Sequence, residues 1–375
     1  MRNRIRVVHI AQAAGGVEQY IKMLLKYMDS TKFENILIVS QDYHEENYVN
    51  LVDSFEQVDM SRAIGMSDLK AARKVRALIK QYRPDIVYAH SSKAGAIARI
   101  ADLGLKNNLI YNPHGWAFNM RCSERKQKLY TIIERIAAPF CDRIICISEA
   151  ERKSALDRKI CADNKLKVIF NGVDIEAYEQ KEHGKVNKTD LKIPAEAFVV
   201  GMVGRISPQK APDVFIRAAK LIKQEIPDAY FIIVGGGEME NEIKQYAKEN
   251  GLKNCLHITG WVDDPLDYVE LFDVACLLSR WEGFGLVLPE YMMVGKPIVA
   301  TQVDAIPNII SNYQNGILVK VDDEVAVSRA VIEIHKSPTL KNKLVQQGQN
   351  DVHLRFDAKR VSYEHEILFR KLVEQ

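Results

Sequence analysis

The chain has 375 residues, of which 47% are hydrophobic and 27% charged, with a formal net charge of +3 at pH 7. This composition is typical of a soluble globular protein, and the length is too great for one ordinary core, so we expect two domains. No apolar run approaches the roughly 20 residues that a membrane-spanning helix needs, which argues against an integral membrane protein.

The charge is distributed unevenly along the chain. Residues 1–172 contain 28 Lys and Arg against 19 Asp and Glu, a balance of +9, whereas the remainder has a balance of −6. A basic half favours an anionic partner, either a phosphorylated acceptor or an anionic membrane surface, although a solvated surface without a partner fits as well. We find no nucleic-acid-binding motif or aromatic platform, so nucleic acid is not an expected partner.

The N-terminus and the cysteines indicate the compartment. Met1 to Arg4 lead directly into a predicted strand without the apolar segment of a signal peptide, so we expect a cytoplasmic protein. The six cysteines show neither Cys-x-x-Cys spacing nor the framework of a small disulfide-rich domain, and we expect them to be reduced.

Strand and helix patterns alternate along the whole chain, which is typical of an α/β protein with doubly wound parallel sheets. Helices are predicted between the strands, for example over 17–28, 67–82 and 214–224. A polar, lysine-rich stretch with weak periodicity predicts a linker over 173–193, between domains at 1–172 and 194–356. The predicted strands cover 5–10, 35–40, 85–90, 109–113, 143–147, 167–170, 198–203, 230–234, 256–259, 273–278 and 297–300.

In the first domain, two loops that follow strands carry candidate site residues. Gly15 and Gly16 stand at a strand-to-helix turn, where adjacent glycines can form an anion-binding concavity or simply a tight turn. His114 follows the strand near residue 109, at the carboxyl end where site residues gather in such sheets, although a single histidine is often structural. His9 and His90 lie in strands, and we interpret them as structural, with His90 a candidate to line the acceptor side.

In the second domain, basic residues follow the first strand. Arg205 offers a rigid fork of donors and Lys210, five positions later, a mobile point charge, and together they suit a diphosphate. An ordinary basic loop is the alternative. The chain contains no Asp-x-Asp, zinc-ligand cluster, Walker loop or nucleophile elbow, so we expect no metal.

The most informative segment runs from Glu282 to Glu290, with the sequence EGFGLVLPE. It follows a predicted buried strand and begins a helix, whose first N–H groups favour anions. Glycine allows a ligand to approach the backbone, and the two carboxylates can accept hydrogen bonds from hydroxyls. A ligand with hydroxyls at both ends and phosphate between them is a nucleotide sugar.

This Glu-x7-Glu segment, with Gly-Phe-Gly inside it, resembles the signature of the retaining GT-B glycosyltransferases of family 4. The resemblance implies two Rossmann-like domains that face a central cleft, and a final helix, over 357–375, that crosses back to the N-terminal domain. It implies transfer of a sugar from a nucleoside-diphosphate sugar to a glycan or lipid-linked acceptor such as a polyprenyl diphosphate, without metal or other cofactor. Related enzymes often build capsules and other surface polysaccharides, so a location on the inner face of the plasma membrane is expected.

The resemblance also implies roles for individual residues. Glu282 binds sugar hydroxyls, Glu290 binds the ribose, and Arg205 with Lys210 stabilises the departing diphosphate. His114 hydrogen-bonds the sugar, and the loop after Gly260 frames the base. The catalytic residues implied are His114, Glu282, Arg205 and Lys210, and the donor site comprises Gly15, Gly16, Arg205, Lys210, Val262, Glu282, Gly283, Phe284, Gly285, Leu286 and Glu290.

Other functions of the same fold stay open at this point. A sugar-nucleotide epimerase, a phosphorylase or a non-catalytic nucleotide-sugar-binding partner would use the same phosphate-binding residues.

A second open question is the basic, partly amphipathic stretch over 121–140. It can rest on anionic lipid, or it can pack on the domain core with a solvated basic face.

Overall fold

The computed structural model describes residues 4–60, 65, 67–120 and 122–374. Two compact units share the chain: one runs through Gly172 and resumes at Ala358, and the other comprises Val173–Asp357. Arg121, part of the predicted basic stretch, lies outside the described residues. No helix within the described ranges is both long and apolar enough to cross a membrane.

The first unit contains a parallel sheet, and its described strands are arranged in the order β3-β2-β1-β4-β5-β6-β7. The strands are β1 Ile5–Ala11, β2 Phe33–Val39, β3 Ser54–Gln57, β4 Ile86–His90, β5 Asn108–Asn112, β6 Arg143–Cys146 and β7 Leu166–Val168. The helices between them are α1 Gly16–Tyr27, α2 Ser67–Tyr82, α3 Ser92–Asp102, α4 Glu124–Ala137 and α5 Glu149–Asp157.

The second unit contains another parallel sheet, in the order β10-β9-β8-β11-β12-β13. Its strands are β8 Phe198–Val203, β9 Ala229–Val234, β10 Leu256–Ile258, β11 Val274–Leu277, β12 Ile298–Thr301 and β13 Ile317–Val319. Its helices are α6 Ile175–Gln180, α7 Pro212–Glu225, α8 Glu240–Glu249, α9 Leu266–Val269, α10 Val287–Met293, α11 Ile306–Ile309, α12 Glu324–Lys336 and α13 Pro338–Arg355. Helix α14, Ala358–Val373, then belongs to the first unit.

Both sheets reverse their winding at one position, between β1 and β4 in the first unit and between β8 and β11 in the second. Open α/β sheets bind ligands outside the carboxyl ends of the strands at such a switch point, because the loops on either side diverge there. The candidate residues follow these strands or their neighbours: Gly15 and Gly16 follow β1, Arg205 and Lys210 follow β8, and Glu282 follows β11.

Apolar strand residues and helix faces form the cores. In the first unit one layer packs α2 and α3 on the sheet, and the other packs α1 and α14. Helix α14 is held there by polar contacts as well: Tyr20 Oη lies 2.9 Å from His365 Nε2, and the backbone N–H of Asp29 donates to Glu366 Oε1 at 2.8 Å.

Residues 173–193, for which the sequence predicts a linker, lie within the second unit. They include α6, and the ammonium of Lys181 pairs with Asp264 at 2.8 Å and with Asp267 at 2.7 Å. His183 Nδ1 lies 2.6 Å from Glu270 Oε1. Lys181 and His183 of this segment therefore make ion pairs within the second unit, which composition alone does not distinguish from solvation.

Two strands of the structure, β3 and β13, were not predicted. Both are edge strands of three or four residues, and β3, with the sequence SFEQ, is only half-buried. Such a strand forms because a neighbouring strand offers backbone hydrogen bonds, which leaves little trace in the sequence pattern.

Candidate active site

Lys210 and Glu282 form an ion pair across the switch point of the second unit. The Nζ of Lys210 lies 2.5 Å from Glu282 Oε2, and the exposed fractions of the two side chains are 17% and 9%. Lys210 follows β8 and Glu282 follows β11, so the pairing of these strands joins residues that are 72 positions apart. The side chains were both predicted as site residues, and the structure brings them into direct contact.

Glu282 is held by two further hydrogen bonds. The hydroxyl of Ser279 donates to Glu282 Oε2 at 2.9 Å, and the backbone N–H of Glu282 donates to Asp304 Oδ2 at 2.9 Å. The first contact orients the carboxylate, and the second fixes the backbone of the loop after β11. Ser279 and Asp304 were not predicted as site residues, because an isolated Ser or Asp in a loop carries no pattern.

Glu290 lies two helical turns further on, in α10, and is half-buried. Loss of hydration, followed by the negative charge of Asp264, raises the pKa of the Glu290 carboxyl to about 7, and the charge of Lys210 opposes this rise. Lys210 is thus in direct contact with one candidate carboxylate and acts electrostatically on the other. The result is a group of one cation and two acids at the carboxyl edge of the sheet.

The glycines of the loop have different roles. Gly285 has φ +83°, and a Cβ on it would lie 3.0 Å from Leu277 Cδ2, so the position requires glycine for conformation and for space. A Cβ on Gly283 would meet no atom within 4 Å, so this position leaves the backbone accessible to a ligand. Phe284 is buried, with its ring 6.0 Å from that of Phe356, and Leu286 is the N-cap residue of α10.

Two other predicted donor residues lie at neighbouring strand ends. Arg205 follows Gly204 at the end of β8, is largely exposed, and its Nε lies 3.0 Å from Glu238 Oε2. Val262 is half-buried in the loop after β10, and an isolated bridge between Gly235 and Gly260 ties this loop to the end of β9.

In the first unit, Gly15 and Gly16 form an open turn. Gly15 has φ +104°, which favours glycine, and an added Cβ at either position would meet no atom within 4 Å. Gly16 is the first residue of α1. This arrangement leaves the start of α1 accessible.

His114 is the half-buried end of a chain of histidines whose other two members are buried. Its Nε2 lies 3.1 Å from His90 Nδ1, His90 Nε2 lies 3.3 Å from His9 Nδ1, and His9 Nε2 lies 3.2 Å from Asn35 Oδ1. The three rings are carried by the adjacent strands β1 and β4 and by the loop after β5. Burial lowers the pKa of His9 to about 4 and that of His114 to about 3, and it lowers the pKa of His90 as well.

The chain has a consequence for the tautomer of His114. A neutral imidazole carries one N–H, and the amide oxygen of Asn35 only accepts, so His9 donates from Nε2. His90 then donates from Nε2 to His9, and His114 donates from Nε2 to His90, an assignment that follows from the network as a whole. Nδ1 of His114 is left as a hydrogen-bond acceptor.

His9 and His90, which the sequence alone indicates to be structural, are connected to His114, and this connection was not predicted. A usable signal was present, since each is a polar residue inside an otherwise apolar buried strand, in VVHI and VYAH. A buried polar side chain needs a partner, and the register of β1 and β4 places these residues together.

Within the described ranges, no group of three or more His, Cys, Asp or Glu is arranged to hold a metal ion. The free cysteines are mostly buried, and burial raises the pKa of the Cys141 and Cys255 thiols.

Comparison with known families identifies both halves of the chain. Residues 185–351 match the model of the glycosyl transferases group 1, and residues 14–177 match that of glycosyltransferase family 4. The chain is 29% identical over 363 residues to the UDP-Gal:alpha-D-GlcNAc-diphosphoundecaprenol alpha-1,3-galactosyltransferase of Escherichia coli, covering 92% of this chain and 93% of that protein. An uncharacterized 41.2 kDa protein in the cps region of Klebsiella pneumoniae is 30% identical, with 90% of both chains covered.

Solved structures show the same fold. The structure of HepE from Anabaena in complex with UDP has a TM-score of 0.82 at 21% identity, covering 98% of this chain and all of that one. WaaG, a glycosyltransferase involved in lipopolysaccharide biosynthesis, has a TM-score of 0.70 at 12% identity, with 97% and 99% of the chains covered. The predicted GT-B fold class, with two Rossmann-like α/β domains, is confirmed.

Proposed function

We propose a specific reaction for this chain. The chain belongs to the glycosyltransferases, since it matches the glycosyl transferases group 1 and glycosyltransferase family 4. It transfers a sugar from a nucleoside-diphosphate sugar to a lipid-linked glycan acceptor, with retention of the anomeric configuration and without a metal. The contact between Lys210 and Glu282 across the switch point carries the proposal, because it joins a phosphate-binding cation to a hydroxyl-binding carboxylate.

Lys210 supplies positive charge to the leaving diphosphate. An ammonium has three N–H donors, so Lys210 can keep its bond to Glu282 while it donates to a phosphate oxygen. The exposed Arg205 can leave Glu238 for the diphosphate at little cost, since an exposed ion pair contributes about 0–1 kcal/mol. Charge stabilisation of this kind is the work that a metal ion does in other transferases.

The carboxylates recognise hydroxyls. Glu282, fixed by Ser279 and Asp304, accepts hydrogen bonds from the donor sugar, and Glu290 accepts them from the ribose. His114, which carries its proton on Nε2, accepts a hydrogen bond at Nδ1 from a sugar hydroxyl. The acceptor attacks on the same face as the leaving group through an oxocarbenium-like state, and a phosphate oxygen of the leaving group takes its proton. Catalysis then depends mainly on positioning and charge.

The relatives support the donor and acceptor classes that we propose. HepE was solved with UDP and with UDP-glucose, and the E. coli relative is named for a UDP-sugar donor and a diphosphoundecaprenol acceptor. Another relative is named for capsular polysaccharide biosynthesis in Staphylococcus aureus. We therefore propose a UDP sugar, a polyprenyl-diphosphate-linked acceptor, work in surface polysaccharide synthesis, and peripheral contact of the basic N-terminal half with an anionic membrane.

The experiment is a panel of nucleotide sugars, with UDP release measured in the presence and absence of a polyprenyl-diphosphate sugar. Lys210→Met is expected to weaken UDP binding and to lower turnover at least about 100-fold, a loss comparable to that of one transition-state donor. Lys341→Met is the matched control, because Lys341 pairs with Asp273 at 3.3 Å at the opposite end of β11. Equal turnover in the wild type and Lys210→Met would refute the assignment, and release of UDP without a glycosylated product would refute transfer.

A further inference from the structure

Helix α4 buries polar residues and exposes apolar ones, the reverse of an ordinary surface helix. Its buried positions are Thr131 and Glu134, whereas its large apolar residues face solvent. The exposed fractions of these apolar side chains range from 46% for Ile133 to 66% for Ile136. The outward stripe, at the spacing of one helix face, consists of Leu129, Ile132, Ile133 and Ile136 and continues to the exposed Phe140.

A buried polar cluster holds the helix in this orientation. Glu134 accepts a hydrogen bond from Tyr111 Oη at 2.8 Å and pairs with Arg99 at 3.4 Å, and the guanidinium carbon of Arg99 lies 3.9 Å from the centre of the Tyr111 ring. All three residues are buried. Rotating α4 to bury its apolar stripe would expose Glu134 and leave Arg99 as an uncompensated buried charge, which is strongly unfavourable.

Cations flank the apolar stripe. Arg125, Lys126 and Lys128 are exposed in the first turns of α4, beside one exposed acid, Glu124. An apolar face bordered by Lys and Arg is typical of helices that lie in the interface of an anionic bilayer. A second copy of this chain would present the same cations, so charge complementarity favours the lipid.

We propose that α4 and Phe140 form the surface through which this protein lies on an anionic bilayer, with the helix axis in the membrane plane. The inference rests on the proposed function, because it supplies the surface through which a lipid-linked acceptor is met. The helix begins ten positions after His114 along the chain, after a short 3-10 turn at Ala117–Asn119. The amino-terminal end of α4, which carries the cations, is thus the end nearer to His114 along the chain.

The test is co-sedimentation of the full chain with vesicles of phosphatidylcholine alone and with phosphatidylglycerol added. The wild type is expected to bind the anionic vesicles at least about tenfold more tightly, and salt is expected to weaken this binding. The double variant Ile132→Ser/Ile136→Ser is expected to lose vesicle binding at least about tenfold, because two apolar side chains no longer enter the interface. Leu354→Ser is the matched control, since Leu354 is 68% exposed and belongs to the second unit.

Three further measurements separate the outcomes. Thermal stabilisation by UDP, measured without vesicles, is expected to be equal in the wild type and the double variant, because the substituted residues are exposed and lie in the first unit. Unchanged vesicle binding in the double variant would overturn the proposal. A wild-type dimer in light scattering that becomes a monomer in the variant would also overturn it, in favour of self-association. If the wild type binds vesicles but shows no transferase activity with any donor, the proposed function is refuted and the proposed membrane surface is supported.

Discussion

Replacement of Glu290 by Gln should make the stability of this protein less dependent on pH. Loss of hydration and the charge of Asp264 raise the pKa of Glu290 from 4.5 to about 7 in the folded protein. Between these values the folded state keeps a proton that the unfolded state has released. The free energy of unfolding contributed by Glu290 therefore falls as the pH rises from about 4.5 to about 7 and is constant above that range.

The size of the effect follows from the shift. One pKa unit corresponds to about 1.4 kcal/mol, so a shift from 4.5 to about 7 corresponds to at most about 3.5 kcal/mol. Glu290 keeps part of its surface in water, and solvent screening reduces this value, so we expect about 1–2 kcal/mol. Glutamine has nearly the same shape and no titrating proton, so Glu290→Gln should be more stable than the wild type at pH 8 and close to it at pH 5.

The assay is urea denaturation of both proteins at pH 5, 6, 7 and 8, with Glu249→Gln, at an exposed position of α8, as the control. Burial also raises the pKa of Glu151 to about 7, but this residue is present in all three proteins and cancels in the difference. In the wild type, UDP affinity should increase between pH 6 and 8 as Glu290 ionises and accepts bonds from the ribose. A stability difference that is the same at pH 5 and pH 8 would refute the raised pKa.

Three other predictions concern packing, the histidine chain and metal. Gly201→Ala should lower the free energy of unfolding by about 1–3 kcal/mol in a denaturation experiment, because its Cβ would lie 2.1 Å from the Phe272 ring. His90→Ala should lower turnover about tenfold or more with little change in UDP affinity, since His114 loses the partner that orients it; equal turnover would show that the chain is only structural. Transfer should survive EDTA, because Lys210 supplies the positive charge, and loss of activity restored by Mg²⁺ would contradict this.

Much of the fold could be predicted from the sequence. The central strands β1, β4, β8 and β11 were recognised because buried strands are continuous apolar runs. The short edge strand β13 was missed because three residues give too little pattern. The segment 173–193 shows the limit of composition, since it contains α6, and its Lys181 and His183 contact acidic residues of the second unit.

Part of the candidate site was visible as motifs and part was not. Glu282 and Lys210 were identified separately, because the first lies beside diagnostic glycines and the second in a basic loop. Their contact depends on the pairing of β8 with β11, which is a property of strand order. The connection of His90 to His114 has the same origin, because β4 and β5 are neighbours in the sheet.

Sequence alone determined which residues are apolar, where strands and helices alternate and where the glycine-containing loops lie, because these are local properties of a few adjacent side chains. Tertiary structure alone decided which loops meet and which face of a helix is buried. Helix α4 shows the difference most clearly: its sequence defines an apolar stripe, which by itself predicts an inward face. The buried Glu134, held by Arg99 and Tyr111, turns that stripe to the outside, because an unpaired buried charge costs more than exposed apolar surface.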